Sequence, residues 1–230
     1  MIENYKYKGF VVYTKNDTEV YKNILKDILK YNFTTLKVLR NIDDTKVSLI
    51  DTPYGKFVFK VFAPKNKKAE RFFKSFVRGD YYKNLIIQTD RIRNLGNNFP
   101  NDFYLLAERK VFNYASVFIM LIEYIEGVEL SDLDEITDKV RNEIKESMKQ
   151  LHAQGMLSGD PHKGNFIISN NGVRIIDLSG KSCSGQLKAK DRIAMERHLN
   201  IKNEIYDVGY YMVIYKLKLR NLIKKIKRKE

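Results

Sequence analysis

The chain has 230 residues, 43% of them apolar, and a formal charge of +14, so it can build a substantial core and shows no low-complexity bias. Its single cysteine, Cys183, excludes an internal disulfide framework and suits a reducing cytoplasm. No apolar run approaches the length that spans a bilayer, and Met1-Ile2-Glu3-Asn4-Tyr5-Lys6 holds no hydrophobic signal region, so a cytoplasmic protein is expected.

The charge is patterned. Residues 216–230 carry eight Lys/Arg against one Glu, and residues 64–93 carry nine against three, so these two segments hold nearly the whole excess. The length suits two small lobes around one cleft.

In chain order, the first clear element is a hairpin. Lys46–Thr52 and Lys56–Phe62 flank the turn Pro53-Tyr54-Gly55. Alternation sets Lys56, Val58 and Lys60 on one face and Phe57, Phe59 and Val61 on the other. Lys60 is therefore either an anion contact inside a site or a solvated lysine. A basic linker, Pro64–Lys68, leads into a helix expected from about Ala69 to Leu85. Its acids are Glu70 and Asp80, and an acid near a helix start is also what the helix dipole favours.

Phe103–Tyr114 and Ser116–Tyr124 read as strands, the second containing the apolar run Val117–Ile122. Glu123-Tyr124-Ile125-Glu126-Gly127 breaks that run. Helices are expected over Ser131–Glu135 and Thr137–Gln154. In the second, Val140, Ile144, Met148 and Leu151 form a core stripe, Thr137 caps the start and Gly155 ends it.

Next comes Ser158-Gly159-Asp160-Pro161-His162-Lys163-Gly164-Asn165. Two short strands follow, Phe166–Ser169 and Val173–Ile176, joined by Asn170-Asn171-Gly172, and the second runs into Asp177. Near the C-terminus, Tyr206-Asp207-Val208-Gly209 opens a segment in which Leu219, Leu222, Ile223 and Ile226 recur at helical spacing. Lys224, Lys225, Lys227, Arg228 and Lys229 occupy its other faces. That is a basic amphipathic helix, suited either to an anionic membrane surface or to packing on the domain with a solvated basic end.

An Asp, four residues, an Asn, a hairpin and a second Asp suit phosphoryl transfer. Such transfer needs a carboxylate to orient the attacking hydroxyl and hard oxygen ligands for magnesium. Asp160 is the candidate for the first task, and Asn165 and Asp177 for the second. A hairpin between them would hold Asn165 and Asp177 at a fixed separation. The bland alternative is a surface loop beside an ordinary hairpin.

Taken together, Lys60, Glu123-Tyr124-Ile125-Glu126-Gly127, Gly159-Asp160-Pro161-His162-Lys163-Gly164-Asn165 and Ile176-Asp177 resemble the kinase-fold phosphotransferases of the lipopolysaccharide-kinase type. Within that group the chain is similar to the core heptose kinases that act on the second heptose. The likeness runs from about Tyr31 to the C-terminus. It implies an α+β, protein-kinase-like two-lobed fold: a β-rich N-lobe to about residue 122, a hinge at 123–127 and a helical C-lobe over 128–230.

The resemblance also implies ATP and Mg2+ as cofactors. Lys60 would sit on the donor phosphates, held by Glu70 or Asp80, and the adenine would lie on the backbone of Glu123 and Ile125. Asn165 and Asp177 would be the metal ligands and Asp160 the catalytic base. His162 would orient the loop or assist the acceptor, and Lys163 would neutralise the transferring group or remain solvated. Asp207 would brace the catalytic loop or simply start a helix. The implied acceptor is a lipopolysaccharide core glycolipid, with peripheral contact at the cytoplasmic face of the inner membrane.

There are departures. Ser158 stands where kinases usually carry His, Asp177-Leu178-Ser179-Gly180 is one residue longer before its glycine, and Asn41-Ile42-Asp43-Asp44-Thr45 replaces a Gly-rich loop. Two other classes stay open: a kinase-fold enzyme with another small-molecule or protein acceptor, and a non-catalytic basic binder of membrane or nucleic acid. No recognition motif supports nucleic acid.

Overall fold

The computed structural model describes residues 2–16, 18–42, 44–63, 80–112 and 114–226. The chain divides into two units, Met1–Glu126 and Gly127–Glu230. The first is β-rich and the second mainly helical, so the α+β expectation holds.

The first unit is a seven-stranded sheet in the order β1-β2-β6-β7-β5-β4-β3. Its strands are β1 (Ile2–Tyr7), β2 (Phe10–Lys15), β3 (Thr34–Ile42), β4 (Thr45–Thr52), β5 (Gly55–Phe62), β6 (Phe103–Val111) and β7 (Tyr114–Glu123), and every pairing is antiparallel. Helix α1 (Thr18–Leu29) lays Ile24, Leu25 and Ile28 on one face of the sheet, against Val12, Ile50, Phe57, Phe59, Leu105 and Leu121. Each of these aliphatic side chains contributes about 1.5–3 kcal/mol by leaving water.

Helix α2 (Tyr81–Asn94) packs on the opposite face. Its Tyr82 ring lies 4.1 Å from Phe118, which stacks at 5.1 Å on Phe62. The second face is therefore covered around Phe118 and Phe62, and Lys60, which stands on that face, is half-buried. It pairs across β5 and β7 with Met120, which pairs with Leu106, and both are almost fully buried. Residues directly opposite in a ladder share a face.

Three strands, β1, β2 and β3, extend the sheet beyond the strands read from the sequence, and α1 is a further helix not read there. The helix expected over Ala69–Leu85 differs too: residues 64–79, Glu70 among them, lie outside the described residues, and α2 continues to Asn94.

The second unit holds a three-stranded sheet, β10-β9-β8, built from β8 (Val128–Glu129), β9 (Phe166–Ser169) and β10 (Gly172–Ile175). Around it are α3 (Asp138–Ala153), α4 (Gly185–Leu199) and α5 (Val208–Ile226). The tail residues Lys227, Arg228 and Lys229 lie outside the described residues. In α3 the Thr137 hydroxyl accepts the Val140 N–H, and Ile144, Met148 and Leu151 are buried as the stripe requires. Ser131–Glu135 is not a helix. A single 3-10 turn, Leu130–Asp132, stops at Leu133, whose backbone is extended. In the β9–β10 turn the positive φ falls on Gly172 alone, and Ser169 Oγ closes the turn on the Gly172 carbonyl at 2.8 Å.

Candidate active site

The second unit brings five of the sequence-derived residues together. The Asp160 carbonyl accepts the Asn165 Nδ2 at 2.8 Å and the His162 N–H at 2.9 Å, which curls the loop between them. The Ile176 N–H donates to the Asn165 carbonyl at 3.0 Å, so the hairpin sets Asn165 beside the residue before Asp177. The separation between Asn165 and Asp177 is thus fixed by a backbone ladder.

A second tie links the Asp177 segment to the Asp160 loop. The Ser179 N–H donates to the Leu157 carbonyl at 3.1 Å. Gly159 lies against that segment with φ +87°, and a Cβ there would come within 2.8 Å of the Ser179 Cβ. Only glycine meets both the conformation and the space. Asp177 itself is exposed and left-handed at φ +53°, a conformation that costs a non-glycine residue about 1 kcal/mol or more.

The side chains divide by role. Asp160 presents a carboxylate that is 73% exposed, with His162 Nε2 at 3.8 Å. His162 Nδ1 accepts the Gly164 N–H at 3.1 Å, so the ring shapes the turn. Lys163 makes no ion pair among the described residues. Asn165 is buried; its Nδ2 is committed to Asp160, and no described residue donates to its Oδ1. A neutral oxygen held in that way, one hairpin strand from an exposed carboxylate, fits a magnesium ion that arrives with phosphates. Among the described residues no three His, Cys, Asp or Glu converge as a metal cluster.

The brace behind this loop is Asp191, on α4. It is 2% exposed, and its carboxylate accepts the Ser158 N–H at 3.0 Å, the Gly159 N–H at 3.1 Å and a contact from His152 Nε2 at 3.1 Å. Sequence reasoning offered Asp207 for this task. Asp207 instead accepts the Tyr210 N–H at 2.8 Å and Arg192 Nη2 at 2.9 Å, which makes it the starting acid of α5. Its carboxyl is slightly desolvated, which raises its pKa, but those bonds outweigh the burial and hold it below its ordinary value. Asp191 and His152 gave no local signal, because their partners lie 32 to 39 residues apart in the chain.

The remaining expected residues lie in the first unit. The Glu123 N–H donates to the Asp102 carbonyl and its Oε2 accepts the Asp102 N–H, both at 2.9 Å. Asp102 in turn takes Lys15 Nζ at 2.6 Å inside a buried cluster with Asp90 and Arg93. The Glu123 side chain is therefore committed to the end of β7, and a ligand role at this residue falls to its backbone. The buried Ile125 offers an N–H that no described residue accepts.

Asp80 pairs with Lys110 at 2.5 Å, and Lys110 also reaches Glu108 at 3.2 Å. Burial works against the Lys110 ammonium, but the two carboxylates push its pKa up. Asp80 thus has a partner other than the one expected.

Comparison with known proteins places the chain. Over residues 1–229 it matches the family described as "Lipopolysaccharide core biosynthesis protein (WaaY)", and it belongs to that family. It is similar to "Lipopolysaccharide core heptose(II) kinase WaaY" of Escherichia coli, with 68% identity over 229 residues and 100% of both chains covered. It is also similar to the protein of that name in Escherichia coli strain K12, with 56% identity over 229 residues, 100% of this chain and 99% of that one. Among solved structures, the kinase domain of Mycobacterium tuberculosis PknI, in a cysteine-to-alanine mutant, overlaps 71% of this chain and 72% of its own at 13% identity and a TM-score of 0.43, too slight a likeness to define a fold.

Proposed function

We propose that this protein is an ATP-dependent kinase that phosphorylates the second heptose of the lipopolysaccharide inner core. The observation that carries this reading is full-length identity of 68% to a relative of that name, in a chain whose Asp160, Asn165 and Asp177 lie on one braced loop and hairpin.

In this reading the exposed Asp160 carboxylate orients the acceptor hydroxyl and takes its proton. The acceptor oxygen bonds to the γ-phosphorus as the bond to the β,γ-bridging oxygen breaks, and ADP leaves. Magnesium, when bound, draws off the negative charge gathered on the phosphate oxygens. Asn165 Oδ1 and the Asp177 carboxylate would hold it. Lys60 and Lys163 supply fixed positive charge to the donor phosphates and the transferring group. The Glu123 carbonyl and the Ile125 N–H take the adenine edge. His162 acts by holding the loop through Gly164. Because the acceptor is a glycolipid, the protein works in peripheral contact with the cytoplasmic face of the inner membrane.

The test is transfer of ³²P from γ-labelled ATP, with Mg²⁺, to purified core lipopolysaccharide that lacks phosphate on the second heptose. Label is expected with the wild type and absent with Asp160→Ala and Asp177→Ala. A wild-type protein that binds ATP and labels only a different acceptor would overturn the heptose assignment.

A further inference from the structure

The C-terminal helix carries an apolar stripe that the fold does not cover. Val208, Tyr211, Met212, Tyr215, Leu219, Leu222 and Ile223 recur at three- and four-residue steps along α5, and all are exposed, Val208 at 76% and Tyr215 at 68%. At about 100° per residue they fall within one arc about 120° wide. The opposite side is the one that packs. Gly209 and Val213 are buried, and Tyr210, Ile214 and Leu217 are half-buried.

Lys216 and Lys218 flank the stripe on its two sides. Arg220, Lys224 and Lys225 lie further round, and α5 contains no acidic residue. The stripe is thus longer than the tail pattern suggested, since it begins about three turns before Leu219 and includes two tyrosines.

We infer that α5 docks the protein in the plane of an anionic phospholipid surface, apolar stripe inward and lysines at the headgroups. This deepens the membrane contact proposed above, and rests on that reading, by naming the element that makes it. Three features choose this occupant. Five cations in the helix leave no span apolar enough to cross a bilayer, and no described helix is. A second copy would set like charges beside each other along both edges of the stripe. Tyr211 and Tyr215 have the apolar body and polar tip that suit a lipid–water boundary.

Vesicle sedimentation of the full chain tests this, without nucleotide or glycolipid, so that failure here is separable from failure of the kinase reading. Vesicles of phosphatidylcholine alone are compared with vesicles containing about one-third phosphatidylglycerol. The wild type is expected to sediment with the anionic vesicles and to come off as salt rises. A triple variant, Tyr215→Ser, Leu219→Ser and Leu222→Ser, replaces only exposed side chains. It is expected to lose partitioning by about tenfold or more while its phosphoryl transfer to delipidated core oligosaccharide is unchanged. A Lys216→Gln, Lys218→Gln variant should bind more weakly and with less salt dependence.

Wild type that stays in the supernatant, or a triple variant that sediments like wild type, overturns the inference. A wild-type dimer that the triple variant converts to a monomer in sedimentation velocity also overturns it, because a second copy would then cover the stripe.

Discussion

Asp191 receives the Gly159 N–H at 3.1 Å, one residue before the exposed carboxylate of Asp160. The same buried side chain also holds the Ser158 N–H and His152. Asp191→Ala would leave two N–H groups without acceptors, at about 1–3 kcal/mol for each that stays dry. We expect a loss of about 2–5 kcal/mol in urea unfolding, and at temperatures where the variant is still folded, a fall in kcat larger than any change in KM for ATP. Unchanged kcat in folded protein would mean that the loop holds its shape without the brace.

Asp160 gives the contrasting case. Only its backbone carbonyl is used by the fold, and its carboxylate is 73% exposed. Asp160→Ala should therefore shift stability by no more than about 0.5 kcal/mol, while phosphoryl transfer falls by roughly 10²–10⁴-fold, the usual worth of a positioned general base. Thermal unfolding and initial rates on the same preparation separate the two. A large drop in melting temperature would show a structural role for the carboxylate.

These two aspartates mark how far the sequence could be read. Asp160, Asn165 and Asp177 were legible because the hairpin that organises them is local: its ladder pairs Phe166 with Ile175, and its turn is closed by Ser169 and Gly172. Asp191 was not, because a buried acid on α4 has the same local pattern as a surface acid until its distant N–H partners are known. The edge strands were missed for a different reason. β1 lies at a sheet edge and buries little, so its alternation is weak. The other edge strand, β3, is exposed along its whole length. The strand pattern left Lys60 open between a site and solvent, because alternation shows only that a residue has left one face. The packing of α2 on Phe118 shows that the second face is covered there, with Lys60 half-buried on the same face.

Glycine contacts give an asymmetric prediction where α4 meets α5. A Cβ on Gly209 would lie 2.4 Å from the Gly185 carbonyl oxygen and 2.9 Å from the Gln186 nitrogen, backbone atoms that cannot swing aside. A Cβ on Gly185 meets nothing within 4 Å. Gly209→Ala is expected to cost about 1–3 kcal/mol as overpacking, and Gly185→Ala to stay within about 0.5 kcal/mol. Gly127→Ala should behave like Gly209→Ala, since its Cβ would lie 2.3 Å from the Ile168 carbonyl oxygen. Urea midpoints for the three variants check the order, and equal midpoints for Gly185→Ala and Gly209→Ala would show that the helices slide freely.

Glu108 sets a pH dependence on the first unit. It is 1% exposed, and burial first, then the Asp80 charge, pushes its carboxyl from 4.5 up to about 7, while Lys110 and Lys83 pull it down without cancelling the rise. The folded state therefore holds this proton more tightly than the unfolded chain. Its contribution is fully present below the unfolded value near 4.5 and is lost as pH climbs through about 7. The whole span is on the order of 3 kcal/mol. Glu108→Gln cannot titrate. Subtracting its unfolding free energy from that of the wild type, from about pH 5 to about pH 8, should leave a difference that falls with rising pH. If the two proteins run parallel across that window, Glu108 is already ionised in the fold and the Lys110 ion pair outweighs its burial.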